Sequence, residues 1–475
     1  MATRTVLAID LGADTGRVMA VHFDGQRLTA DELHRFQNIP VLAGGTLYWD
    51  ILRLFGDMQA GIRKAHKPDA LGLDTWGVDF AFLDRAGHLL GNPVHYRDRR
   101  NDGAMDYVHA IVPRQEIFAR TGIQIMQINS LYQMATLIRD QDPTLDNAAA
   151  FLMLPDLLYY WLTGVKINEF TDTTTSQCYD PHTGTWAFEL LERIGIPTRL
   201  FGDIVEPGQV LGKYEGIPAV VAAHHDTASA VVAVPTRTPH FAYISSGTWS
   251  LLGLELPHPV INDAVLEANI TNEGGYGGTY RFLKNIAGMW LIQESRRQWQ
   301  REGQEYSYDT LTKMAAEAAP FVSLIHGDDP RFLAPGEMPN RIRQFCKDTG
   351  QPVPESVGEV ARCIFQSLAL KYRIVLRQEM ALTQQPVEAL HIVGGGSLNT
   401  LLCQMTADAT GIPVLAGPVE ATALGNAIAQ LIALGDLKSV EEGRALVRES
   451  FPLSVYEPRD TAAWDAVEER FRALM

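Results

Sequence analysis

Asp226 stands in the run Ala222-Ala223-His224-His225-Asp226-Thr227-Ala228-Ser229, a carboxylate among small residues with no charge partner close by in sequence. A group so placed suits orienting an alcohol and accepting its proton. A helix N-cap is the structural alternative. Soon after it, Tyr243-Ile244-Ser245-Ser246-Gly247-Thr248-Trp249-Ser250 repeats the pattern of the opening run Ala8-Ile9-Asp10-Leu11-Gly12-Ala13-Asp14-Thr15-Gly16-Arg17, the two glycines lying 235 positions apart. Each copy is an apolar β-type run, a small polar turn and a second apolar run, a hairpin whose backbone N–H groups can face an anion. Two anion-cradling turns with one carboxylate between them point to phosphoryl transfer. Asp10 ends the first run, and a carboxylate beside phosphates makes sense only with a divalent cation between them; turn capping is its other reading.

The elements that must position these groups alternate. Val6 to Phe23 reads as strand, turn, strand; Ile51 to Lys64 as an amphipathic helix; Leu71 to Phe80 as a strand ending in a glycine-bearing turn. Ala119 to Leu162 is mainly helical, broken at Gly122, Asn129 and Pro155. The threonine-rich stretch Asn168 to Thr185 reads as an ordered surface loop. Further on, Leu390 to Val393 is a buried-type strand running into Gly394-Gly395-Gly396, followed by helical spacing over Leu398 to Thr410, a strand at Ile412 to Leu415 and a helix over Val419 to Leu434 stopped by Gly435. Three glycines after a strand let a flat ring or ribose approach the backbone. This alternation predicts an α/β fold with a mostly parallel sheet.

At 475 residues the chain exceeds the size at which one core keeps growing, so two domains are expected, 1–236 and 237–475, divided near Pro235 to Pro239. A net charge of −16 argues against a nucleic-acid partner, because a polyanion would be repelled over most of the surface. No charged-then-apolar leader and no apolar run of membrane-spanning length is legible, so a cytoplasmic protein without a membrane partner is expected. Four cysteines do not make a secreted disulfide framework; Cys346 and Cys363 fall on helices joined by Thr349-Gly350-Gln351-Pro352, where they could pair or stay reduced.

Asp10 to Arg17, Leu73 to Phe80, Tyr96-Arg97-Asp98-Arg99-Arg100, Ala268 to Gly275, His225 to Ser229, Ser245 to Ser250, His391 to Gly396 and Ala416 to Asn426 together resemble the FGGY family of sugar kinases, nearly end to end. The resemblance implies two actin-like (ribonuclease H-like) α/β domains with an active-site cleft between them. It implies ATP and a ketose as substrates, L-rhamnulose first among them and L-fuculose or a pentulose as the alternatives, with transfer of the γ-phosphate to a C1 hydroxyl. Carried over by position, Asp226 would be the catalytic base; Gly77, His225, Asp226, Thr227 and Asn285 would contact the sugar; Ala13, Asp14, Thr15, Gly16, Arg17, Thr248, Gln293 and Gly395 would line the nucleotide; and Asp10 would hold Mg²⁺ through water. Asp14 departs from the family pattern, which has a small hydroxyl or neutral residue there. Either its side chain turns away and its N–H faces ATP, or it helps hold the metal. Asp98 and Arg100 are read either as sugar contacts or as a structural ion pair.

An unperturbed aspartate, with a pKa of about 3.9, is a feeble base at neutral pH, which a loose transition state tolerates because the proton can leave late. An actin-like ATPase without sugar transfer would carry similar turns but has no need of a sugar-facing base. A catalytically silent sugar sensor would not need both Asp10 and Asp226. Oligomeric state, monomer or dimer, is not legible.

Overall fold

The computed structural model describes residues 3–475. Two compact units make up the chain, and they are interleaved in sequence: the first takes residues 1–235, 255–283 and 421–450, the second 236–254, 284–420 and 451–475. The first break therefore falls at Pro235, but the chain twice returns to the first unit, a division drawn differently from the contiguous segments 1–236 and 237–475. The cause is packing: helix Ala421–Ala433 has its partners on strands near the N-terminus.

In the first unit a six-stranded sheet runs, in spatial order, Gln209–Tyr214, Ile217–Val221, Ala70–Thr75, Arg4–Leu11, Thr15–Phe23, Leu28–Gln37. It is mixed rather than mostly parallel. Arg4–Leu11 pairs antiparallel with Thr15–Phe23 and parallel with Ala70–Thr75, which pairs parallel with Ile217–Val221. Val6 to Leu11 is buried on both faces, which is why that strand is an unbroken apolar run apart from Asp10. Helix Ala421–Ala433 covers this strand and packs on helix Asp226–Val232. Its small residues permit the approach: a Cβ on Gly425 would stand 1.7 Å from the Ser229 carbonyl oxygen.

The stretch 168–180 corrects the surface-loop expectation. Every residue from Asn168 to Asp180 is buried, in a short helix Phe170–Thr173 and a 3₁₀ turn Thr174–Ser176. Its polar side chains bond one another and the nearby backbone: the Thr171, Thr174, Thr175 and Ser176 hydroxyls donate to Glu169, Thr171, Asp172 and Thr173 in turn. These four bonds make burial tolerable, although the Thr173 hydroxyl and one oxygen each of Glu169 and Asp172 are buried without a partner. Ala119 to Leu162 also contains one strand, Ala150–Met153, paired with Phe80–Leu83.

The second unit repeats the hairpin plan. Phe241–Ser246 pairs antiparallel with Trp249–Leu256 and parallel with Ala389–Val393, which is followed in the sheet by Val414–Ala416 and Ser454–Tyr456. The 27-residue helix Val357–Thr383, started by a Ser356–Glu359 capping box, packs against Tyr308–Glu317 and Thr400–Thr410. Among the described residues, no helix is long and apolar enough to cross a membrane.

Candidate active site

In the first unit, the ends of three neighbouring strands bring the acidic residues together. Asp10 and Asp74 are register partners on parallel strands, and Arg17 is opposite Asp10 on the antiparallel one. Arg17 donates to the Asp10 carboxylate at 2.5 Å. Asp74 is fully buried; it accepts from the Asn426 amide at 2.6 Å, and that amide is held by Gln430, which also bonds the Leu7 carbonyl oxygen. Its second oxygen, Oδ1, has no partner. Burial first, then the charges of Asp10 and Asp226, push the Asp74 pKa well above the usual carboxylate range, against the Asn426 bond.

Asp226 opens helix Asp226–Val232, with His225 at the N-cap. The loop before it is pinned to the end of the neighbouring strand, where the Thr75 N–H donates to the His224 carbonyl oxygen at 2.8 Å. Asp226 keeps 28% of its side chain exposed, accepts from the Thr227 hydroxyl at 3.1 Å and faces His225 Nε2 at 3.5 Å. Burial and the nearby Asp10 charge push its pKa up to about 7, with Thr227 and Arg281 pulling the other way. The feeble base expected of an ordinary aspartate is thereby replaced by one poised near neutrality. Its helix-opening position also satisfies the N-cap alternative only in part, because the cap residue itself is His225 and makes no side-chain cap bond.

Gly77 and Val78 form the turn after strand Ala70–Thr75. A Cβ on Gly77 would lie 2.8 Å from the Thr175 hydroxyl, so the buried threonine segment is close behind. Val78 has φ of 68°, an uncomfortable value for a β-branched residue. Three hydrogen bonds impose it: Val78 N–H to Thr175 Oγ1, and Ser130 Oγ and Gln133 Nε2 to the Val78 carbonyl oxygen. Strain that is over-determined in this way belongs to sites with a job to do. Beside it, Trp49 and Trp76 both donate their indole N–H to Asp79, while Arg100 reaches Gln133 rather than Asp98 at 3.5 Å. Asp98 accepts from the backbone N–H groups of Leu47 and Arg100.

The first turn is held by Asn38. Its backbone N–H donates to the Asp14 carbonyl oxygen and its side-chain amide to that of Gly12, while the Gly12 N–H closes the turn on Thr15. Ala13, Asp14, Thr15 and Arg17 remain half-buried and Gly16 is buried, where a Cβ would strike Phe36 at 2.3 Å.

The other anticipated residues belong to the second unit. Gly247 and Thr248 form a turn closed by Gly247 N–H to the Trp249 carbonyl oxygen, and their own carbonyl oxygens accept from Met289 and Trp290, anchoring the start of helix Trp290–Arg301. Gln293 lies in the first turn of that helix with its amide oxygen buried and unpartnered, an acceptor still open to a donor. Gly395 is exposed with open space around its Cβ position, whereas a Cβ on Gly396 would sit 1.9 Å from Ser246 Oγ. Asn285 is half-buried on strand Tyr280–Ala287. Cys346 and Cys363 are buried free thiols that interact with one another, which lowers the Cys346 pKa and raises that of Cys363.

Family models decide the lineage: one for the N-terminal domain of the FGGY family of carbohydrate kinases matches residues 5–233, and one for the C-terminal domain matches 242–434. The chain belongs to the FGGY family of carbohydrate kinases. It is similar to the rhamnulokinase of Bacteroides thetaiotaomicron, at 45% identity over 98% of both chains, and to that of Bacillus subtilis, at 40% over 95% of both. Among solved structures, it resembles a ligand-bound xylulose kinase from Lactobacillus acidophilus, with a TM-score of 0.81 at 15% identity over 99% of this chain and 97% of that one. A Plasmodium falciparum glycerol kinase with ADP gives 0.75 at 14% over the same shares. The α/β, two-domain actin-like architecture follows for this family member.

Sequence reasoning assigned no role to Asp74, Thr171, Thr175, Glu273 or Arg281, although all five lie against the anticipated residues. The signal available for Asp74 and Glu273 was their presence inside the runs Leu73 to Phe80 and Ala268 to Gly275. For Arg281 and Thr171 there was none. As to a divalent cation, among the described residues no group of three or more His, Cys, Asp or Glu side chains could hold one. The residues nonetheless fit a cation held mainly by phosphates and water: Asp10, Asp74 and Asp226 repel one another, and a nearby positive charge would relieve them.

Proposed function

We propose that this chain is an ATP-dependent kinase of L-rhamnulose that transfers the γ-phosphate of ATP to the C1 hydroxyl, giving L-rhamnulose 1-phosphate and ADP. The sugar assignment is supported by the full-length similarity to proteins named rhamnulokinase. The chemistry is supported above all by one observation, a part-exposed Asp226 at the start of helix Asp226–Val232 with Thr227 and His225 beside its carboxylate.

On this reading Asp226 aligns the hydroxyl and takes its proton as the oxygen attacks phosphorus. With a pKa near 7, it is ionised in roughly half the molecules at neutral pH and is a much stronger acceptor than an unperturbed aspartate. In a loose transition state, alignment is worth as much as basicity. Gly77, His225, Thr227 and Asn285 bind the other sugar hydroxyls, and a sugar lacking the matching stereocentre is penalised by the buried partner it leaves unpaired. Ala13 to Arg17 and Thr248 cradle the phosphates through backbone amides, the Thr248 hydroxyl adding one hydrogen bond. Gln293 and Gly395 lie against the nucleoside. Asp10 would hold Mg²⁺ through water, and the ion, when bound, would neutralise charge on the phosphates. The setting is cytoplasmic, where Cys346 and Cys363 stay as the free thiols they are in the structure.

The test is a coupled ADP-release assay with L-rhamnulose, L-fuculose and L-ribulose, run on the parent protein and on Asp226→Asn. L-Rhamnulose should give the highest kcat/KM, and Asp226→Asn should bind sugar and ATP while losing transfer. A clear preference for L-fuculose would overturn the sugar assignment, and a near-parental rate for the variant would overturn the base.

A further inference from the structure

We propose that Glu273, held by Arg281, is a positioning residue that fixes the orientation and tautomer of His225 against Asp226. The inference rests on the reading of Asp226 as the base. It begins with Arg281, whose side chain is completely buried and whose guanidinium donates to two carbonyl oxygens and forms an ion pair with one carboxylate. Its Nε donates to the Gly274 carbonyl oxygen at 2.8 Å, one terminal nitrogen donates to the Thr171 carbonyl oxygen at 3.3 Å, and the other stands 3.1 Å from Glu273 Oε2. A cation buried to this degree is tolerated only with such pairing. The same Glu273 oxygen faces His225 Nδ1 at 3.5 Å, close but without the geometry of a hydrogen bond, and on the far side of the ring Nε2 faces Asp226 Oδ1 at 3.5 Å. His225 is fixed through its backbone as well, since its N–H donates to Thr171 Oγ1 at 3.2 Å. Thr171, Glu273 and Arg281 thus surround His225 from three different elements, the helix Phe170–Thr173 and the strands Thr271–Gly274 and Tyr280–Ala287.

Burial, with the Arg281 charge as the second cause, lowers the His225 pKa well below its ordinary value, so the ring is neutral and carries one N–H. Both ring nitrogens look at a carboxylate, and only one can donate. Glu273 keeps 5% of its side chain exposed and Asp226 keeps 28%, so a lone pair turned against the carboxylate costs more at Glu273. The proton therefore belongs on Nδ1, towards Glu273. Nε2 is left as an acceptor beside Asp226, and two acceptors side by side receive hydroxyl protons. Asp226 would take the proton of the attacking alcohol while His225 Nε2 accepts from a neighbouring hydroxyl, giving a second point of reference on the sugar. The logic is that of a carboxylate orienting a histidine from behind.

The test uses the full chain, its sugar kinase assay and ¹⁵N spectra of histidine-labelled protein. The chain has 13 histidines, so the His225 signals are assigned by their loss in His225→Asn. The expected wild-type spectrum shows a neutral ring protonated on Nδ1. Glu273→Gln is expected to lower kcat/KM for the sugar by roughly 10- to 100-fold, the range seen when a residue orienting a functional histidine is replaced, with KM for ATP unchanged. In a His225→Asn background the same substitution should change kcat/KM by less than about twofold, because the two residues act as one unit. A wild-type ring protonated on Nε2, or an undiminished effect of Glu273→Gln without His225, overturns the inference. Should Glu273→Gln fail to fold because Arg281 loses its counter-charge, the wild-type tautomer decides alone. A near-parental rate for Asp226→Asn would remove the base reading and leave the His225–Glu273 link standing, so the two failures are distinguishable.

Discussion

The two hairpin turns are built on one plan and filled with opposite chemistry. In each, a central strand pairs antiparallel with the strand after the turn and parallel with a strand from much later in the chain. In the first unit the register positions before the turn hold Asp10 and Asp74, with Arg17 opposite; in the second, the corresponding pair is Ser245 and Val393. The first site works with charge, raised carboxyl pKa values and a guanidinium. The second works with small residues and close backbone, as Gly396 against Ser246 shows. On the proposed function, the first half would supply the proton acceptor and one phosphate turn, and the second half an uncharged turn and the glycines that face the nucleoside. Variants in the two halves should then fail in different ways.

The largest contrast is kinetic. Asp226→Asn is expected to lower kcat by about 10²- to 10⁴-fold, the range for loss of a positioned base, with substrate binding kept. Thr248→Ala, in the uncharged turn, should raise KM for ATP by roughly tenfold or less and leave kcat within about threefold, as removal of one hydrogen bond predicts. Steady-state kinetics with both substrates varied measures both. If Thr248→Ala struck kcat as hard as Asp226→Asn, the division of labour would be lost.

Next comes the contact that seats Asp226. Gly425→Ala would drive a methyl group into the Ser229 carbonyl oxygen, at 1.7 Å, and a backbone atom inside helix Asp226–Val232 cannot step aside as a side chain can. A cost of about 3 kcal/mol is expected, the upper end for overpacking, read as a lowered urea midpoint. Any folded fraction should show depressed kcat, because the helix carrying Asp226 has moved. Parental stability would mean that the two helices are less tightly joined than their spacing indicates.

Within the glycine run of the second unit, adjacent positions separate fold from ligand. Gly396→Ala meets Ser246 Oγ at 1.9 Å, which can rotate away, and Ser246 Cβ at 2.5 Å, which cannot, so a loss of about 2–3 kcal/mol is expected. Gly395→Ala meets nothing within 4 Å and should leave the melting temperature unchanged, yet raise KM for ATP if the nucleotide lies against that backbone. Thermal melts with ATP titrations on both variants check this. An unchanged ATP affinity in Gly395→Ala would remove Gly395 from the nucleotide site.

The hairpins, the triple glycine and helix Ile51–Ile62 were all legible in the sequence, because each is a local pattern of apolar period and turn residues. The segment 168–180 was not, because threonine, aspartate and glutamate read as surface residues unless their partners are known. Here those partners include Asp156, His224 and Arg281, brought in from far along the chain. The setting of Asp226 stands out in the sequence, but its raised pKa does not, since that comes from burial under other elements and from the Asp10 charge. Residue type and motif reached the identity of the chemistry; the electrostatics that tune it belong to the folded chain.

The smallest effect is the most direct measure of that tuning. In the unfolded chain Asp226 titrates near its ordinary value of 3.8, and in the folded protein at about 7. Below pH 3.8 it is protonated in both states and contributes nothing to the pH dependence. Between the two values folding takes up a proton, so stability falls as pH rises, and above 7 the folded state carries the whole cost of a buried charge. An amide in its place would carry none of that cost. Asp226→Asn should therefore melt higher than the parent, by about 2 °C at about pH 8, a shift of the size that a kcal/mol or so produces in a large chain, and by less in mild acid. Thr248→Ala should show no such pH dependence, having no ionising group to remove. A difference for Asp226→Asn that grows towards acid would mean that the folded pKa lies below the unfolded one, and the half of the molecule described as charged and strained would instead be one in which the carboxylate is welcome.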